Sequence, residues 1–403
     1  MKLLHTADWQ LGARFKQFGA RADDLREARF ATLARALELA RDRKVDAFVV
    51  AGDLFEDNEV DDAVVQRAVS LFSDFGSFPI FLLPGNHDPF TGPGCVWNRR
   101  SFQSAPAHVR VFRNPEFAEL NGGFILASPL SQKKSRIDPS LRFVEMASQL
   151  PAEKIKIGVT HGSLNIPGLR DDNDFPIDLT AATRAQLDFL CLGHWHSWFP
   201  EDGGRMLMCG TPEPDAFDRN DCGCVALVEI SERGAQPRIE KLPVATMAWK
   251  VFDFNLLEVD AARESLKSGL ASLFERAKHS VVRVQLRGTA ARDILDSTRT
   301  SIKESLKPFP CSQLHDESGL AFTPAELEFL KSNHPILAQV LADLDQLAAF
   351  TLGTRNDSIS AEPLSPADKD RILSEAHIDP AALRTAHFDL ARQLLFQNLQ
   401  DTV

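Results

Sequence analysis

What this sequence lacks narrows its class before any motif is read. In 403 residues there is no tyrosine, an absence with no evident physical reason. No apolar run approaches the ~20 residues that a bilayer-spanning helix needs, and the polar stretch "HTADWQ" follows directly on Met1-Lys2-Leu3-Leu4. That leaves no room for a signal peptide, so the expected location is the cytoplasm, with no membrane contact. The six cysteines form no C-x-x-C pair. A chain of this length does not depend on disulfide staples, so they read as reduced, mostly buried thiols. Excess positive charge is missing too: the net charge is -11, and bulk attraction cannot hold nucleic acid. Any such contact has to use local basic surface, metal ions or a partner. Internal repeats and low-complexity tracts are also absent.

What remains is a soluble globular composition, 44% hydrophobic and 25% charged, in a chain long enough for two or three domains. Five short apolar runs stand out: "KLLHTAD", "DAFVVAGD", "PIFLLPGNHD", "KIKIGVTHG" and "FLCLGHWH". Each has strand length and stops at Asp, Asn or His beside glycine, as a buried strand does where it opens into a loop. Between the first two, Leu33, Ala36, Leu37 and Ala40 share one helical face, and "VDDAVVQRAVSLFSDF" behaves similarly before the third. Strand, helix, strand, helix, strand is the order of an α/β layered domain that binds ligands at the carboxyl ends of its strands.

After His196 come closely spaced strands, "RMLMCGTP", "GCVALVEI" and "PRIEKLPV", expected to complete a second sheet by about Val244. From Trp249 the order strand, helix, strand, helix marks a small α/β unit. In it, Val282, Val284 and Leu286 alternate with Arg283, Gln285 and Arg287, giving one buried and one basic face. The basic face reads first as solvated and second as a DNA contact. Beyond it the chain reads as helical. Thr323-Pro324-Ala325-Glu326 forms a capping box ahead of "ILAQVLADLDQLAAF", and "GTRNDSISAE" reads as a linker. Ser365-Pro366 and Asp379-Pro380 then each open a helix, the last with Phe388, Ala391, Leu395 and Leu399 on one side, for internal packing or for a partner. The expected division is 1–246, 247–310 and 311–403.

Taken singly the strand-end motifs are weak; together they are specific. Asp8, Asp53, Asn86, His87, His161, His194 and His196 fall at the ends of five successive runs, and Gly52, Gly85, Gly162 and Gly193 flank four of these. Buried Asp and His would otherwise each need a separate neutralising partner. Imidazole nitrogen with carboxylate oxygen and no thiolate suits borderline divalent ions: manganese first, with iron or zinc as alternatives. Two ions close together need a shared anion, and only Asp8 and Asp53 are carboxylates at these ends, so one of them must bridge. Such a pair lowers the pKa of water and neutralises phosphate oxygens during in-line attack.

In this order the motifs resemble those of the calcineurin-like metallophosphoesterase superfamily, a sandwich of two sheets flanked by helices. "HTADWQLG", "AGDLFED", "PGNHDP" and "GHWHS" are more specifically similar to the SbcD-type DNA repair exonucleases, the nuclease subunits that work with an SbcC-type coiled-coil ATPase. The motif match covers residues 4 to about 197. By order and length alone, the unit after Trp249 agrees with that family's capping domain and the tail with its ATPase-binding region. The resemblance implies that Asp53 bridges two ions. It puts Asp8 and His196 on one, and Asn86, His161 and His194 on the other. His87 is then the acid that protonates the leaving sugar oxygen, oriented by Asp88.

One position departs from the pattern. Gln10 stands where the family has histidine. Its carboxamide oxygen is neutral and hard: it can ligate directly, hold a water, or leave that ion loosely bound. With the remaining set intact, the expected function is metal-dependent hydrolysis at DNA ends, with DNA, the ATPase and a homodimer as candidate partners. The alternatives are a phosphatase or phosphodiesterase on small substrates, and a weakly active DNA-binding subunit. Trp9 and Trp195 could stack on bases or fill the core. Lys133, Lys134, Arg136, Arg99 and Arg100 could meet DNA or water, and "RDDND" at 170–174 reads as a solvated loop rather than a calcium loop.

Overall fold

The structure, a computed structural model, describes residues 1–166, 174–219, 221–321 and 335–352, with Glu328, Phe329, Ser332 and Ala391 besides. The chain forms two compact units. One comprises Met1–Lys250 with Lys278–Val281, and the other Val251–Ala277 with the described residues from Val282 onward.

The first unit is built on two six-stranded sheets. One contains β1 (Lys2–Thr6), β2 (Ala47–Val50), β3 (Ile80–Leu82) and β4 (Val109–Val111), all parallel, extended past β1 by β11 (Cys224–Glu229) and β12 (Arg238–Pro243). The other has the order β5 (Glu116–Leu120), β6 (Gly123–Ser128), β7 (Ile155–His161), β8 (Phe189–Gly193), β10 (Met206–Met208), β9 (Phe199–Glu201). Alternation along the strands gives each sheet two apolar faces. Leu3, Val49 and Phe81 meet Ile125, Ile157, Val159 and Cys191 in a core between the sheets. Leu4, Phe48, Val50 and Ile80 turn the other way, toward helices α1 (Ala22–Asp42) and α2 (Asp62–Ser73). On α1 the expected face, Leu33, Ala36, Leu37 and Ala40, is fully buried. On α2, Val65, Ala68, Val69 and Phe72 recur at helical spacing and are buried. Burying each large apolar side chain contributes roughly 1.5–3 kcal/mol. A third cluster, with Phe143, Met146, Ala181 and Ala182, covers the outer face of the second sheet. The architecture is the expected α/β sandwich of two sheets flanked by helices.

Strand assignment after His196 differs from the expectation. Of the three expected strands only β10 joins the second sheet, parallel to β8, whereas β11 and β12 belong to the first, with Leu3 opposite Val228 and Leu4 opposite Leu227. The reason is visible in β11 itself. Ala226 and Val228 enter the core between the sheets while Val225 and Leu227 enter the helix side, so β11 is apolar on both faces like the strand it extends.

In the second unit β13 (Ala248–Asn255), β14 (Ser280–Ala290) and β15 (Cys311–Leu320) form a three-stranded sheet, with helices at Val259–Leu273 and Arg292–Leu306. Val282, Val284 and Leu286 are buried, as the alternation requires. β15 corrects the reading of residues from 311 as helical. Its polar sequence "CSQLHDESGL" hides a strand secured by polar partners: Arg283 donates to Gln313 (3.0 Å), Arg287 to Glu317 (2.8 Å) and Arg299 to Asp316 (2.7 Å). The helix Pro335–Leu352 spans the expected apolar stretch. The capping box at 323–326, the linker at 353–362, the helix starts at 365 and 379, Phe388, Leu395 and Leu399, and positions 170–173 lie outside the described residues.

Candidate metal centre

Every strand-end residue singled out above comes to one end of the sandwich. Asp8 and Gln10 follow β1, Asp53 follows β2, Asn86, His87 and Asp88 follow β3, His161 ends β7, and His194 and His196 follow β8. The loops after β1 and β2 run side by side, with Asp8 N donating to Gly52 O (3.1 Å), Gln10 N to Asp53 O (3.0 Å) and Leu11 N to Leu54 O (2.9 Å). This pairing holds the chain in an unfavourable conformation. Asp8 (φ 55°), Gln10 (φ 40°), Asp53 (φ 53°) and His194 (φ 108°) all lie at positive φ, which costs of order 1–3 kcal/mol per residue and persists where surrounding structure enforces it. Two glycines are sterically required. A Cβ on Gly52, itself at φ +94°, would run into the His161 ring, and one on Gly85 would overlap the Asp53 carboxylate and amide.

At the centre, ligand atoms of Asp8, Asp53 and His161 lie within 4.8 Å of one another, and all three residues are buried. Among the described residues, no lysine or arginine pairs with either carboxylate. Two buried carboxylates without a basic side chain, lined by imidazole and amide groups, are the donor set a divalent cation requires. His161 Nε2 is 3.3 Å from Asp53 Oδ2 and 2.8 Å from Asn86 Oδ1, and His194 Nδ1 approaches the same Asn86 oxygen at 2.8 Å. Asn86, His161, His194 and Asp53 therefore converge. On the Asp8 side, the Gln10 carboxamide faces His196 Nε2 at 3.2 Å, and Asp8 accepts from the His194 amide at 3.0 and 3.1 Å.

Each imidazole is fixed from behind. His161 Nδ1 is 2.8 Å from Ala51 O, His194 Nε2 is 2.9 Å from Asp174 Oδ2, His196 Nδ1 is 2.9 Å from Asp215 Oδ2, and His87 Nδ1 is 2.9 Å from Glu56 O. In each ring one nitrogen meets an oxygen of the surrounding scaffold; the other nitrogen of His161 and of His194 faces Asn86 Oδ1, and that of His196 faces Gln10. Asp215 has no counterpart in the sequence reading, and Asp174 entered it only as the last residue of a stretch read as a solvated loop, whereas its carboxylate meets His194; neither ends a strand or adjoins one of the motif glycines.

Asp88 is placed differently from the expectation. It is buried, and its carboxylate accepts from the Phe55 amide (2.9 Å) and the Gly85 amide (2.8 Å), so it fixes the loop that carries Asn86 and His87. The Glu56 carbonyl orients the His87 ring. Burial, with the charge of Asp53, pushes the Asp88 carboxyl up to about 8. Burial also raises Asp8, and it opposes ionisation of both His161 and Asp53, but their mutual attraction prevails. His161 is pushed up to about 9 and Asp53 held below the usual carboxylate range.

The flanking candidates divide. Trp9 is fully buried, with Nε1 donating to Thr6 Oγ1 at 3.0 Å, and fills the core. Trp195 is half-buried, edge-on to Phe199 at 5.3 Å. Arg99 is engaged by Asp62 (2.9 Å) and the Asn58 carbonyl (2.8 Å), while Arg100, Lys133, Lys134 and Arg136 are exposed.

Comparison with known proteins bears on this geometry. Residues 1–198 match the calcineurin-like phosphoesterase family. The chain is 25% identical over 267 residues to an SbcCD nuclease subunit, SbcD, of Bacillus subtilis (strain 168), a match that covers 57% of this chain and 66% of that protein, just under two thirds of its length. Among solved structures, the protein TT1561 of Thermus thermophilus is 12% identical with a TM-score of 0.39, over 60% of this chain and 98% of that one. A dimetal phosphatase from Danio rerio is 11% identical with a TM-score of 0.34, over 60% of this chain and 99% of that one.

Proposed function

We propose, from the match of residues 1–198 to the calcineurin-like phosphoesterase family, that the chain is a metal-dependent phosphoester hydrolase acting on DNA ends together with an SbcC-type ATPase. The observation that carries the hydrolase is the buried Asp8, Asp53 and His161 cluster without a basic partner. The likeness to an SbcCD nuclease subunit supports DNA as substrate and the ATPase as partner. When bound, divalent ions supply positive charge to the phosphate oxygens and lower the pKa of water; manganese is the ion proposed. Asp53 would serve both ions, Asp8, Gln10 and His196 would hold one, and Asn86, His161 and His194 would hold the other. A half-turn of the Gln10 amide exchanges its nitrogen for the oxygen, so this side chain remains a usable ligand. His87, held through Nδ1 by Glu56 O, keeps Nε2 for the leaving oxygen and delivers its proton there. Asp88 holds the loop rather than the ring.

The proposed division is a catalytic domain over 1–246, a capping-like unit over 247–310 and a partner-docking region over 311–403 that begins with a strand. Among the described residues no helix is long and apolar enough to cross a membrane, and the cytoplasm is the proposed location. One assay tests the reading. Purified chain with manganese is offered end-labelled duplex DNA, single-stranded DNA and small phosphoesters, beside a His87→Ala control. DNA cleavage that the control loses supports the nuclease. Turnover of small esters alone replaces it with a phosphatase, and silence on every substrate with the ATPase present leaves a binding subunit.

A further inference from the structure

We propose that Asp215 is the positioning residue for the Gln10 side of the metal centre, fixing His196 so that a single imidazole offsets the weak donor beside it. The inference rests on the metal-centre reading given above.

The residues that carry it lie just beyond β10, in the segment Thr211-Pro212-Glu213-Pro214-Asp215. Prolines at alternate positions fix φ and stiffen the backbone. The intervening side chains each reach a different part of the site's scaffold. Thr211 donates from Oγ1 to the Asp8 carbonyl (2.9 Å) and from its amide to the His196 carbonyl (3.2 Å). Glu213, buried, accepts from the Thr246 amide (2.7 Å), the Met247 amide (3.0 Å) and the Thr32 hydroxyl of α1. Asp215 meets His196 Nδ1 at 2.9 Å and Arg219 Nε at 3.0 Å, with the guanidinium of buried Arg29 at 3.8 Å. Arg29 in turn donates to the Trp9 carbonyl at 2.5 Å. The segment therefore touches both stretches that supply ligands on this side, residues 8–10 and 194–196, and Asp215 is the point where it meets a ligand side chain.

With Nδ1 turned to Asp215, His196 presents Nε2 to the Gln10 carboxamide. A carboxylate behind a ligating imidazole fixes its tautomer and orientation and makes it a stronger donor. The effect is needed on this side, where a neutral amide stands in place of an imidazole. Arg219 at 3.0 Å and Arg29 at 3.8 Å place positive charge beside the buried carboxylate.

The test has two readouts on the full-length chain. In the metal-free protein, nitrogen-resolved NMR of His196 should find the proton on Nδ1. Asp215→Asn should shift that tautomer population and Asp215→Glu should restore it. Manganese titration by calorimetry and electron paramagnetic resonance should show two binding steps. Asp215→Asn should weaken by about 10-fold or more the step that Gln10→Ala also weakens, and leave the other unchanged. Equal weakening of both steps, or no change in either, overturns the proposal. So does a wild-type His196 that, at a pH where its ring is neutral, carries its proton on Nε2, a measurement that stands even if the variants fail to fold. A wild-type chain that binds no manganese overturns the metal-centre reading itself, whereas two normal steps insensitive to Asp215 overturn only this inference.

Discussion

The two units of this chain are both α/β, yet they place polar residues in opposite ways. In the first, Asp8, Asp53, Asp88, His5, Arg29, His161 and Glu213 are buried, and every described non-glycine residue at positive φ lies at or before Asp221. In the second, no Asp, Glu, His, Lys or Arg among the described residues is buried, and Arg287 and Arg299 pair with acidic residues of β15. A sheet that only has to fold keeps its charges in water and its backbone relaxed. The first unit also buries Lys156 and Asp188 where β7 and β8 begin, but it gathers the desolvation of Asp8, Asp53, Asp88 and His161 and the backbone strain of Asp8, Gln10, Asp53 and His194 at the end where the strands of both sheets deliver ligands. The concentration of that cost marks the site as functional.

The largest effect that would sharpen this contrast is at Asp53. Asp53→Ala should lower manganese affinity by more than about 100-fold, with hydrolysis lost alongside, while amide protection of the β13–β15 sheet stays unchanged in hydrogen exchange. If the second unit loosens as well, the two do not behave separately. A reciprocal change belongs in the second unit. Leu286 is fully buried in β14, and Leu286→Ala should destabilise that unit by about 3 kcal/mol in denaturant unfolding, with manganese affinity unaltered.

Acid should act on the first unit through a buried histidine. His5 is fully buried, and burial lowers it from 6.5 to about 3, against a raising hydrogen bond to the Leu192 carbonyl. A histidine depressed in the folded state contributes stability that is complete above the unfolded value near 6.5 and is lost as pH falls toward 3. Between pH 7.5 and 5 the loss from this group is about 2 kcal/mol, readable as the part of the pH dependence of unfolding that His5→Gln removes and as a His5 ring that stays neutral by NMR. Smallest of all is the surface ion pair of the second unit. Arg287→Ala removes an exposed partner of Glu317 and should cost no more than about 0.5 kcal/mol. A larger loss would mean that this unit also depends on its charges.

Legibility followed the same division. Apolar runs ending at Asp, Asn or His beside glycine announced β1, β2, β3, β7 and β8, because burial on both faces leaves a continuous hydrophobic record. β15 left none, since an edge strand whose polar residues face arginines in water has the composition of a loop or a helix surface. The partner of β11 was equally invisible, because an apolar run specifies burial but not which sheet provides it. Asp88 shows the limit for side chains: adjacency to His87 suggested a pair, but two backbone amides from other turns claimed the carboxylate. Asp174 and Asp215 carry no local mark at all. Their relation to His194 and His196 exists only in space.

By itself, the sequence determined which residue types stand at which strand ends, and so the donor chemistry available to a cation: carboxylate, imidazole and amide without thiolate. Tertiary structure alone decided which nitrogen of each ring turns inward, which carboxylate faces the cavity and which faces backbone amides, and where β11 and β15 pair. The reason is range. Periodicity and turn chemistry act over a few residues, whereas orientation of a buried polar group is set by whichever donor or acceptor the fold brings within about 3 Å, and here those partners come from strands and loops far apart in the chain.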